Sequence, residues 1–129
     1  MSPRTRAVIM ALAIDVVATL VFVLIGRGSH NADPTLAGLL VVWWPFLAAL
    51  ALGWLLTLAW RRPLGPVWPG LGLWILTVAG GMLFRTLSGQ GTALAFVIVA
   101  TVALGILLIG WRGIAAFIRR RPRTRTRPA

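Results

Sequence analysis

Residues 7–26 read AVIMALAIDVVATLVFVLIG. A run this long, broken by a single charge at Asp15, spans about 30 Å as a helix, the depth of a bilayer's hydrocarbon core. Arg4 and Arg6 precede it, as they would in a signal peptide. The apolar run is too long for that, holds a central aspartate, and is followed by GRGSHNADP rather than a small-residue cleavage site. It reads as a retained membrane span.

Three further runs have the same character: Leu36–Trp60, Val67–Phe84 and Thr92–Trp111. The expected fold is therefore all-α, a four-helix transmembrane bundle over residues 1–112 with a basic tail over 113–129. Composition agrees, with 59% hydrophobic residues and a mean hydropathy of +0.91. Such values belong to the membrane class. The residue choice, rich in Arg, Ala, Gly and Pro and lacking Lys and Tyr, points to a GC-rich bacterial genome and hence a bacterial plasma membrane.

Charge sets the expected direction. All 13 basic residues are arginines, and the only acids are Asp15 and Asp33. Eleven arginines fall in the N-terminus, in the link after the second run, or at and beyond Arg112; only Arg27 and Arg85 fall on the other side. The positive-inside rule then places both termini in the cytoplasm. Trp60, Trp68 and Trp111 mark the same boundary as interfacial indoles. Asp33-Pro34 reads as the start of the second helix, Asp33 capping and Pro34 in the first turn. Arg61-Arg62-Pro63-Leu64-Gly65-Pro66 reads as a turn. The tail RRRPRTRTRPA has no apolar face and reads as disordered.

Each run carries small or polar residues at a spacing of four, which places them on one face. These stripes are Ala7, Ala11, Asp15, Thr19; Pro45, Ala49, Gly53, Thr57; Thr77, Gly81, Arg85; and Ala93, Val97, Thr101, Gly105. Helices in lipid associate through such close contacts, so the stripes are expected to face the bundle interior. Pro45 leaves the Val41 carbonyl without its usual donor and should kink its helix. With Trp43 and Trp44 it forms a candidate pocket.

Two polar sites stand out. Asp15 lies near mid-span, where a carboxylate costs at least about 2.5 kcal/mol, so it should face protein or water. It reads either as a proton or cation site or as a neutral structural acid bonded to Thr19 or to a neighbouring helix. Rise per residue sets Arg85 roughly 14 Å from Asp15 along the membrane normal, so no pair between them is expected. Arg85 itself, with Ser88, Gln90 and Thr92, occupies the reversal RTLSGQGT between the third and fourth runs. Gly89 and Gly91 permit the turn, and Ser88 or Thr92 can cap the last helix. The same group reads alternatively as an outer anion or headgroup site.

Other chemistry is poorly supplied. The chain has no cysteine and one histidine, so neither a thiolate nor a metal site is expected. Ser29, His30 and Asp33 do not make a triad, being loop neighbours without defined geometry. No glycine cluster has a nucleotide-binding context, and no cofactor is expected. The arginine tail is better suited to an anionic membrane surface than to nucleic acid.

The segments WWPFLAALALGWL (43–55) and TVAGGMLFRTLSGQGTALAFVIVAT (77–101), with the early Asp15, resemble a family of small actinobacterial membrane proteins catalogued as domain of unknown function 3054. The resemblance covers nearly all of the chain except the tail. It implies a four-helix membrane protein and brings no substrate, cofactor or catalytic residue. Two functional classes follow from the residues. The first is a non-enzymatic membrane protein that binds lipid or a protein partner, including further copies of itself, with anionic lipid held through Arg85 and the tail. The second is a small proton- or cation-coupled transporter that uses Asp15.

Overall fold

The computed structural model describes residues 1–28 and 35–120. They form four helices: α1 (Pro3–Gly28), α2 (Leu36–Thr57), α3 (Gly70–Leu87) and α4 (Leu94–Arg120). All four are long and apolar enough to cross a membrane, and no strand occurs among the described residues. The expected all-α, four-span architecture is what the chain adopts, and its composition makes it a multi-pass membrane protein.

Local chemistry sets the helix ends. Ser2 caps α1, its Oγ accepting from the Thr5 N–H at 3.1 Å, with Pro3 in the first helical position. Thr35 does the same for α2, accepting from the Gly38 N–H at 3.1 Å. The cap of α2 is thus Thr35 rather than Asp33; Asp33 and Pro34 lie outside the described residues, as do Ser29, His30 and residues 121–129 of the tail. Leu58 closes α2 in the left-handed region, and a 3-10 turn follows over Ala59–Arg61. At the end of α3, Gly89 has a φ of +80°. Its N–H donates to the Thr86 carbonyl and that of Gln90 to the Arg85 carbonyl, which is a Schellman motif. The reversal read from Gly89 is therefore built as expected.

Helix α4 departs from expectation at its far end. It continues through Trp111 and Arg112 to Arg120 without a break. Residues 113–120, read as tail, are helical, and Arg112 lies inside a helix rather than at its exit.

The helices pack in chain order around a closed ring, each antiparallel to its neighbours. Thr19 meets Trp43, Trp74 meets Thr101, and Phe22 meets Phe96. One end of the bundle holds the start of α1, the α2–α3 link and the end of α4; call it the terminal end. The other, the hairpin end, holds the α3–α4 reversal.

Most stripe residues of α1, α2 and α3 face inward, while Ala7 and Arg85, at the ends of theirs, are half-buried beside open hollows. Ala11, Asp15, Thr19, Pro45, Ala49, Gly53, Thr57, Thr77 and Gly81 are all buried. Their small size sets the helix spacing. A Cβ on Gly80 would stand 2.9 Å from the Ala49 Cβ, and one on Gly81 would stand 2.6 Å from the Phe46 ring. The stripe on α4 is displaced. Ala100, Leu104, Leu108 and Arg112 are buried, whereas Ala93 is exposed and Val97, Thr101 and Gly105 are half-buried. Thr101 and Gly105 face α3 instead: Trp74 donates to the Thr101 carbonyl at 2.8 Å and lies against Gly105. The larger residues of α4 fill the centre that the small residues of its neighbours leave.

Candidate functional site

Asp15 projects from α1 into the centre of the bundle and is fully buried. Four hydrogen bonds reach its carboxylate. Arg112 Nη2 donates to Oδ2 at 2.6 Å and Nη1 to Oδ1 at 2.8 Å, a two-pronged ion pair. Trp54 Nε1, from α2, donates to Oδ2 at 2.9 Å, and Trp111 Nε1, from α4, to Oδ1 at 2.9 Å. A carboxylate has about four acceptor positions, and these donors occupy them.

Arg112 is equally committed. It too is fully buried. Its Nε donates to the Pro63 carbonyl at 3.0 Å, and Nη1 also donates to the Leu108 carbonyl at 3.0 Å. Its guanidinium carbon lies 4.4 Å from the Trp111 ring centroid. The pair therefore joins α1, α2, α4 and the α2–α3 link in one cluster. That link is pinned a second time by Trp68, whose Nε1 donates to the Thr57 carbonyl at 3.2 Å.

Two readings change here. Asp15, read as a proton or cation site or as a structural acid bonded to Thr19 or a neighbouring helix, is paired with a buried arginine, Arg112. Its bonds go to neighbouring helices and not to Thr19. Thr19 Oγ1 instead donates to the Val16 carbonyl at 2.7 Å and accepts from Trp43 Nε1 at 3.0 Å. Trp111, read as an interfacial anchor, turns inward to the carboxylate. Arg112 and Trp54 had no place among the expected site residues. A signal for Arg112 existed in the apolar stretch GIAAFI that follows it, which lengthens α4 and draws Arg112 into the bundle.

Trp43 and Trp44 turn to different neighbours. Trp43 bonds Thr19 of α1, while Trp44 stacks on Phe84 of α3 with centroids 6.1 Å apart. Pro45 itself is buried. Its orphaned Val41 carbonyl is satisfied from a distance: Gln90 Nε2 donates to it at 2.9 Å.

Gln90 belongs to the outer cluster read from the sequence, which the structure brings together in part. Arg85 donates through Nε and Nη2 to the Gly91 carbonyl, at 3.1 and 2.8 Å, and through Nη1 to Gln90 Oε1 at 3.0 Å. Its guanidinium carbon lies 4.3 Å from the Phe96 centroid. Ser88 Oγ donates back to the Arg85 carbonyl at 3.0 Å and accepts from Gln90 Nε2 at 3.1 Å, so it serves α3 and not α4. Thr92 is exposed and takes no part in this network. Arg85 and Gln90 also line an open hollow of about 500 Å³ at the hairpin end, with Arg27 and Phe96. Among the described residues no group of three or more His, Cys, Asp or Glu is placed to hold a metal ion.

These features define a class: a four-span membrane bundle locked near its terminal end by a buried Asp–Arg pair and closed at its hairpin end by an Arg–Gln network. The chain belongs to the family described as protein of unknown function (DUF3054), whose model matches residues 12–115. That range includes both Asp15 and Arg112. No curated protein and no solved structure matches the chain.

Proposed function

We propose that this is a non-enzymatic membrane protein that acts by binding lipid or a protein partner, with Asp15 as a structural acid. In this reading the protein lies in a bacterial plasma membrane with both termini cytoplasmic. The observation that supports it is the occupancy of the Asp15 carboxylate. Four donors from two other helices hold it, so a transported proton or cation would have to displace Arg112 to reach it. A coupled transporter is correspondingly less well supported. The hollow at the hairpin end is a better place for a ligand. It combines an apolar wall with Arg27 and Arg85, and three of Arg85's five N–H groups serve its own hairpin, leaving two to meet an anionic group.

The test is proton-coupled flux in proteoliposomes, across a panel of cationic and anionic solutes, for wild type beside Asp15→Asn. Asn cannot neutralise Arg112, so the variant is expected to lose thermal stability in detergent. Wild type is expected to show no proton-coupled flux. Flux in wild type that a folded Asp15→Asn variant loses would return Asp15 to a transport role.

A further inference from the structure

We propose that the terminal end of the bundle carries a binding site for the phosphate headgroup of an anionic phospholipid, formed by Arg4, Arg61, Arg62 and Arg119. These four arginines come from the start of α1, the α2–α3 link and the end of α4, and they line a single open cavity of about 430 Å³. Ala7 and Leu64 give the same cavity an apolar wall. A second hollow, of about 350 Å³, shares Leu64 and Arg119 and adds Arg120.

Charge bookkeeping over the whole chain carries the argument. Thirteen arginines face two side-chain carboxylates. Asp15 is fully engaged by Arg112 and the two indoles. Asp33 falls in the link between α1 and α2, whose flanking helix ends lie at the hairpin end. Among the described residues no side-chain acid is therefore available to the four arginines, which leaves them open to an external anion. Arg4 sharpens the point. It sits in the first turn of a 26-residue helix, where the helix dipole already adds positive potential. An external anion relieves that conflict.

The chemistry of the anion follows from the setting. Guanidinium groups match phosphate oxygens in shape and charge. The cavity lies at the ends of membrane-spanning helices, beside the exposed Trp60 and Trp68, at the depth where headgroups sit. Basic pockets between helix ends recognise anionic headgroups, and several positive charges favour one that carries two phosphates. This site is separate from Asp15 and from the Arg85 hollow, so its failure would leave the reading of Asp15 unchanged.

Native mass spectrometry of the full chain, released from mixed detergent–lipid micelles, reads the site directly. The probes are a diphosphatidyl lipid, a monophosphate anionic lipid and a zwitterionic lipid. Inorganic phosphate and pyrophosphate are soluble controls. Wild type should retain the diphosphatidyl lipid most strongly and the zwitterionic lipid least. The Arg61→Gln/Arg62→Gln variant should bind the diphosphatidyl lipid weaker by on the order of tenfold or more, and Arg4→Gln/Arg119→Gln similarly. All four side chains are exposed, so both variants should fold as wild type does. As a check that needs no variant, raising salt should weaken retention by wild type. Equal retention by wild type and both variants, or no preference for anionic over zwitterionic lipid, would overturn the proposal. Binding of pyrophosphate as tight as that of the lipid would assign the site to a soluble phosphate and overturn the lipid source.

Discussion

Asp15 and Arg112 each enter a region where an isolated charge costs several kcal/mol, and each is tolerated only because the other is there. Removing one partner leaves the other uncompensated. Arg112→Met is therefore expected to lower stability by about 3–5 kcal/mol, and Asp15→Leu by a similar amount. The double variant should recover much of that loss, since an apolar pair leaves no buried charge. Thermal unfolding in detergent across this four-member cycle measures the coupling. Additive losses would show that the ion pair is not the unit that holds the cluster. Asp15 could be recognised as an interior residue from its own run, because lipid penalises a carboxylate at that depth. Arg112 could not be recognised in the same way. It ends one apolar run and, after the short stretch GIAAFI, is followed by the arginines from Arg119 on, so it also fits the pattern of an exit from the membrane. Its partner lies 97 residues away in the chain.

At the scale of elements, close approach and backbone repair decide stability. Gly81 on α3 leaves room for Phe46 on α2, where even a Cβ would stand 2.6 Å from the ring. Gly81→Leu should therefore force the two helices apart and cost about 1–3 kcal/mol or more, read as a lowered melting temperature. An unchanged melting temperature would mean that α2 and α3 do not need this contact. Pro45 makes a second prediction. Gln90 donates to the Val41 carbonyl that Pro45 orphans. Gln90→Ala should cost about 1–2 kcal/mol in the natural chain and less in a Pro45→Ala background, where the helix supplies its own donor. The missing donor was legible at Pro45, but its replacement, Gln90, 49 residues from Val41, was not. Stripe reading succeeded on three helices and slipped on α4. Small residues there pack against Trp74, and the centre takes Leu104 and Leu108.

At the scale of the whole molecule, the arginines gather at the terminal end. Arg4, Arg61, Arg62, Arg119 and Arg120 all lie there, while Arg27 and Arg85 lie at the hairpin end. Positive charge is retained on the cytoplasmic side during insertion, so both termini are expected there. Reporter fusions at residue 129 and within residues 27–34 should report opposite sides, the first cytoplasmic. A reporter at residue 129 found outside the cell would reverse the topology. Moving Arg112 into the bundle subtracts one residue from the exposed arginines of the terminal end and leaves the bias strong.

Four spans, their order and the burial of Asp15 were decided locally. Apolar length, helical spacing and the cost of a charge in lipid act on each run independently of the others. The ion pair with Arg112, the indoles that complete it, the use of Gln90 at Val41 and the face that α4 turns inward were decided by the packed bundle. Each depends on the depth and rotation of one helix relative to another. A spacing of four residues specifies a face but not which neighbour it meets, and apolar length bounds a span without fixing where the helix ends. Only when α1, α2 and α4 close around the centre do donors far apart in the chain converge on one carboxylate.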